Sequence, residues 1–215
     1  MPSGDYSGPS GGSLWISAGR MTGKGSVTAN GGPIGGYDRP GAGGRIALYL
    51  TAPGATFEEF DGTVTAWASY LRSDVLQIPL GTPGTIYRQG PDEADFCGTV
   101  SIVNHSSGGD LGRGEYPSPK LTADPRKIGG RIVMEGAGNL NLTGNATVAD
   151  IVMTGSKPKL YLNGHKLRVK AEQHALGAAT DPDWTKNAQI IPGEDADGNP
   201  GKIVWGPIGM MVIVK

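Results

Sequence analysis

The chain has 215 residues and a formal net charge of −1, and a quarter of it is glycine or proline (37 Gly, 16 Pro). That fraction excludes an all-α protein, because both residues break helix interiors. The near-neutral balance argues against a dedicated nucleic-acid binder and against disorder driven by charge repulsion. No apolar run approaches the ~18 residues of a membrane helix. The single cysteine, Cys97, leaves neither an internal disulfide nor a cysteine-based metal site. Met1-Pro2-Ser3-Gly4 does not read as an export signal, so one is expected to be absent or already removed.

Taken in chain order, the apolar residues fall in short alternating runs closed by Gly, Asn-Gly or Pro, the period-two pattern of β-strands. Leu14-Trp15-Ile16 comes first, then Ser26-Val27-Thr28-Ala29 before Asn30-Gly31-Gly32, and then Arg45 to Leu50 before Pro53-Gly54. Three runs share one form, Gly-Thr followed by a β-branched residue, at 62, 84 and 98. Further strands are predicted at 131–134, 139–142, 146–148, 150–153, 159–162, 166–169, 189–191, 202–205 and 211–214, with a lid strand formed by Met210 to Val214.

The local self-similarity and irregular spacing suit a solenoid whose coils differ in length. The fold expected is all-β, a parallel β-helix, with a β-sandwich as the alternative. It is one domain, 1–215, with an irregular excursion near 91–130. N-terminal coils occupy 11–103, a loop 104–130 and C-terminal coils 131–215. Val27, Ile46, Leu48, Val64, Ile86, Val100, Ile102, Ile132, Leu140, Leu142, Val148, Ile151, Leu160, Leu162, Leu167, Val169, Ile190 and Ile203 are predicted to point inward.

Gly11-Gly12-Ser13-Leu14-Trp15-Ile16-Ser17-Ala18-Gly19, Gly25 to Gly32 and Gly43 to Tyr49 resemble the Gly-rich β-solenoid repeats of large bacterial surface proteins. Leu160-Tyr161-Leu162-Asn163-Gly164-His165-Lys166-Leu167-Arg168-Val169 resembles the strand-turn-strand of autotransporter-type passenger repeats. The resemblance covers about half the chain. It implies a right-handed coil, a bacterial cell-surface or extracellular location and membership of a longer polypeptide. It carries over no catalytic residue. At the coil corner, Asn163 and Gly164 supply positive φ, and the Asn amide is expected to bond neighbouring coils, which makes His165 structural.

Alternation places Trp15, Tyr49, Trp67 and Tyr87 outward on successive strands, a candidate platform for sugar rings; the competing use is packing beneath the chain's own loops. Lys166, Arg168 and Lys170 share one strand face opposite Leu167 and Val169, a candidate polyanion site, or else a solvated face that discourages edge pairing. Asp195, Asp197 and Asn199 are a candidate calcium loop, although Pro200 stands where the EF-hand pattern has glycine and Gly206 where it has the bidentate Glu. No other cofactor is expected. His105 is the histidine best placed for chemistry, at the rim of the excursion.

The function expected is a non-catalytic structural or adhesive module that presents a face to polysaccharide or to a neighbouring surface protein. Self-association through the N-terminal coil is a further expectation; nucleic-acid binding and a membrane span are not expected. A polysaccharide lyase or glycoside hydrolase of the parallel β-helix type is the alternative, because coil motifs dominate and no compact catalytic constellation stands out.

Overall fold

The computed structural model describes residues 8–32, 41–72, 77–79, 81–104, 120–121 and 129–206. Within them the protein is all-β, with several small sheets and, for helix, only two single 3-10 turns at Phe57–Glu59 and Trp184–Lys186. The strands are β1 (Ser13–Ala18), β2 (Ser26–Thr28), β3 (Arg45–Leu50), β4 (Thr63–Thr65), β5 (Tyr70–Arg72), β6 (Gln77–Pro79), β7 (Gly84–Gln89), β8 (Thr99–Val103) and β9 (Lys120–Leu121). They continue as β10 (Arg131–Glu135), β11 (Leu140–Leu142), β12 (Ala146–Val148), β13 (Asp150–Met153), β14 (Leu160–Tyr161), β15 (Lys166–Val169), β16 (Ile190–Ile191) and β17 (Lys202–Trp205). No helix among the described residues is long and apolar enough to cross a membrane. The predicted strand at 211–214 and His105 lie outside the described residues.

One six-stranded sheet, ordered β1-β3-β7-β8-β10-β13, runs through the molecule. Two smaller parallel sheets, β16-β14-β11-β9 and β12-β15-β17, flank its C-terminal half; the pair β2-β4 flanks its N-terminal half. In the C-terminal half Arg131 pairs with Asp150, Leu140 with Leu160 and Ala146 with Leu167, so between β10 and β15 the chain returns after 19, 20 or 21 residues; the last returns, Leu160 to Ile190 and Leu167 to Ile203, are longer. Alternation then buries one face of every strand. Ile132, Met134, Leu140, Leu142, Val148, Ile151, Leu160, Leu162, Leu167, Val169, Ile190 and Ile203 form one continuous aliphatic core. The corner between β14 and β15 is made as its residues require: Asn163 at φ 48° and Gly164 at φ 77°. The Asn163 amide bonds the Asn141 side chain and the Leu142 carbonyl of the preceding turn.

The N-terminal half returns at longer intervals, Ser13 to Arg45 and Arg45 to Thr85. Its aliphatic core is small: Ile46, Leu48 and Ile86 with Ala29 and Ala66, flanked by half-buried Val27 and Val64. Ile16, Met21 and Phe57 also pack against it, and much of the remaining interior is backbone against backbone. Gly44 donates to the Ala29 carbonyl (2.7 Å), Ala29 to Thr65 (2.8 Å), Gly31 to Trp67 (2.8 Å), Gly43 to Thr82 (2.9 Å) and Gly84 to Ala66 (2.9 Å). A β-carbon at Gly44 would sit 2.1 Å from the Gly12 carbonyl oxygen, and one at Gly84 2.1 Å from that of Gly44. Glycine is required there by proximity, not by φ.

The two halves meet at β7 and β8, which pair antiparallel across the turn at 90–98. Directly opposite residues of an antiparallel pair share a face. Thr85 and Tyr87, on the outer face of the N-terminal half, therefore stand opposite Ile102 and Val100, which belong to the C-terminal core. Ile86, in the N-terminal core, stands opposite Ser101, whose hydroxyl receives Arg88 Nη1 (3.3 Å). The single sheet thus carries its N-terminal core on one side and its C-terminal core on the other. Every residue predicted to point inward is buried or packs against one of these two cores.

Candidate functional site

The step between the two halves forms a groove of about 430 Å³. Its floor is the outer face of β1, β3 and β7, where pairing aligns two rungs. One rung is Ser13–Arg45–Thr85 and the next is Trp15–Ala47–Tyr87. Its wall is Phe96 and Gly98 of the 90–98 turn, with Val100 and Gly130 of the C-terminal half.

Three of the four predicted aromatics meet here. Small Ala47 leaves space above the middle strand, and the Tyr49 ring fills it between its neighbours. Trp15 and Tyr49 stack with centroids 4.5 Å apart and planes 23° apart; Tyr49 and Tyr87 lie 5.5 Å apart at 57°. The stacking distance matches the spacing between strands, so the rings stand on the sheet as a ladder instead of lying flat along it. The inner faces of the ladder are used up by the rings themselves. Trp15, on the edge strand and 70% exposed, keeps one face open. Trp67 is elsewhere: it follows β4, which pairs with β2 and not with the large sheet, and its amide donates to Asn30 Oδ1 (2.8 Å).

The Tyr87 end of the ladder is held by hydrogen bonds. Its hydroxyl donates to Gln89 Oε1 (2.6 Å) and accepts from the Gly98 amide (3.1 Å), while Phe96 N–H donates to the same Gln89 oxygen (3.3 Å). The turn places Phe96 at φ 62° and leaves it 54% exposed beside the groove. Burial raises the Tyr87 phenol, with the Gly98 amide opposing and the charge of Glu93 adding. Burial also raises the Tyr49 phenol, and the charge of Asp95 adds to it. Both phenols stay neutral hydrogen-bonding groups at neutral pH. Phe96 had no signal in the sequence, since a non-glycine residue at positive φ cannot be read from pattern. Arg45 had one: it stands two residues before Ala47 and so shares the outward face.

No family model, no curated protein and no solved structure matches this chain. The groove is therefore read from its own chemistry.

The two other candidate sites are on the C-terminal half. Lys166 and Lys170 are exposed and Arg168 half-buried on the outer face of β15, opposite buried Leu167 and Val169; Lys166 stands in register with Lys202. In the loop after β16, Asp195 Oδ1 accepts the amides of Asp197 (3.0 Å) and Asn199 (2.8 Å), and the Asn199 side chain bonds both Asp195 oxygens. These bonds, the Asn199 amide foremost, lower the Asp195 carboxyl below its usual range. The carboxylate closes its own turn. Among the described residues, no group of three or more His, Cys, Asp or Glu is placed to hold a metal ion.

A third polar cluster joins neighbouring turns. Asp150 takes Arg131 Nε (3.3 Å) on one oxygen and His174 Nε2 (2.9 Å) on the other, and His174 Nδ1 lies 3.0 Å from the Ala175 carbonyl. Burial pulls the imidazole pKa down, but the Asp150 and Ala175 bonds outweigh it and the net shift is upward. Only the imidazolium can donate through both nitrogens at once.

Proposed function

We propose that the protein is a non-catalytic module of a bacterial cell-surface or extracellular protein, a right-handed parallel β-solenoid built as two stacks, which binds a polysaccharide in the aromatic groove. Parallel crossovers within one sheet are right-handed in nearly all proteins, and among the described strands only β5–β6 and β7–β8 pair antiparallel. The observation that carries the binding reading is Trp15, an open indole face at the mouth of a groove with hydroxyls, a guanidinium and phenols around it. Sugars present a C–H face to such a ring and hydroxyls to such polar groups, and the groove volume is that of a small-ligand site. Its described lining includes no carboxylate and no histidine, which favours binding over glycoside hydrolysis.

Trp15→Ala is expected to weaken polysaccharide binding by about 1–3 kcal/mol, the range of an apolar side-chain contact, whereas Trp67→Ala leaves it unchanged. Glycan-array screening followed by calorimetry checks both. Turnover of pectin, alginate or cellulose, followed at 235 nm and by reducing ends, would instead establish the enzyme alternative.

A further inference from the structure

We infer that the groove selects an acidic glycan, with Arg45 receiving the carboxylate or sulfate of the sugar whose ring lies against Trp15; the inference rests on the glycan reading of the groove. Arg45 lines the groove and is exposed, and among the described residues it has no ion-pair partner. Strand pairing sets it between the hydroxyl side chains of Ser13 and Thr85 in one rung. A guanidinium flanked by two hydroxyls is a donor-rich receiver for a planar carboxylate or a sulfate.

The distance between the two rungs fixes the geometry. Residues two apart on a strand are separated by about 6.6 Å, so the cation stands one sugar residue's reach from the aromatic rung. An anionic substituent on a sugar stacked at Trp15 falls where Arg45 can take it. At the other end of the strands, the 90–98 turn carries the opposite charge in Glu93 and Asp95, which act on the Tyr87 and Tyr49 phenols. Negative charge on the ligand is thus attracted at the Ser13–Arg45–Thr85 rung and repelled at the 90–98 turn. The groove has a polarity as well as a shape, and a neutral glycan would use only its apolar half.

The test is an array of linear oligosaccharides in neutral, uronate and sulfated forms, followed by calorimetry on the hits. Three variants accompany the wild-type chain: Arg45→Met, which keeps the aliphatic stem, Arg45→Lys, which keeps the charge, and Arg168→Gln on the basic face of β15. Arg45 is exposed, and circular dichroism checks that each variant folds. Acidic hits are expected that Arg45→Met weakens about tenfold, the share of one charge-assisted hydrogen bond, that Arg45→Lys partly restores and that Arg168→Gln leaves alone. Hits confined to neutral glycans would overturn the inference and leave the glycan reading standing. Acidic binding that survives Arg45→Met, or that Arg168→Gln abolishes, overturns it in the same way. Binding of no glycan at all would remove the glycan reading itself, and the inference with it.

Discussion

The two halves of the molecule share one sheet but are held together by different forces. Between β10 and β15 the C-terminal half returns every 19 to 21 residues, and it fills the space between its three sheets with Leu, Ile, Val and Met. The N-terminal half takes 32 to 40 residues per return and has three large aliphatics in its core. Its inner segments, near residues 11, 29–31, 41–44, 66–69 and 81–84, bond to one another through amides and carbonyls. Apolar burial is non-directional and tolerates small shifts, whereas a hydrogen bond between backbones weakens steeply once it is bent or lengthened. In the N-terminal half glycine thus takes the place of a large side chain as interior packing, at the cost of admitting no β-carbon.

The largest expected effect tests the aliphatic half. Leu162 is fully buried, and Leu162→Ala should destabilise by about 3 kcal/mol, from lost transfer energy and the cavity left behind; urea unfolding measures it. The glycine half is tested by Gly44→Ala, where the added carbon meets backbone on two sides and nothing flexible can yield. About 2 kcal/mol is expected, the scale of overpacking. Gly12→Ala, at the residue whose carbonyl Gly44 crowds but with nothing within 4 Å of its own added carbon, should be neutral or slightly stabilising. Equal losses at Gly44 and Gly12 would show that close backbone approach is not what requires glycine in the N-terminal half.

A smaller effect belongs to the corner between β14 and β15. Asn163→Ala removes a bond to the Leu142 carbonyl (2.9 Å) and the link to Asn141, and forces alanine into positive φ. A loss of about 1–2 kcal/mol is expected, again by urea unfolding. The smallest effect is the pH dependence at His174. Its folded pKa is raised, so its contribution to stability is fully present below the unfolded imidazole value of ~6.5 and is lost as pH rises through the folded value. Unfolding midpoints between pH 5 and 9 should show this fall in the wild type and not in His174→Gln, and an NMR titration of the imidazole locates the folded pKa.

Much of this was legible in the residues. Alternation named the inward positions of both halves, from Ile46 and Leu48 to Leu167 and Val169, because burial on one face of a strand imposes period two. Asn163-Gly164 announced its corner because few residues accept positive φ. The groove was legible only in part. The outward setting of Trp15, Tyr49 and Tyr87 followed from the pattern. The exclusion of Trp67 did not, since alternation says which way a side chain points from its own strand and not which sheet the strand joins.

Residue pattern alone therefore reaches only local features: strands, their buried faces, and the corners at which the backbone must turn. The tertiary structure alone decided the reversal at β7 and β8, and with it the shift of the core from one side of the sheet to the other. A period-two pattern reads the same in either direction along a strand, so it is blind to whether the next strand runs parallel or antiparallel. The turn that makes the difference is set by contacts no short motif encodes: Gly98 on the Tyr87 hydroxyl, and Phe96 on Gln89. Because the core changes sides there, the outer face of β1, β3 and β7 meets a wall from the 90–98 turn and the C-terminal half, and an exposed row of side chains becomes a groove.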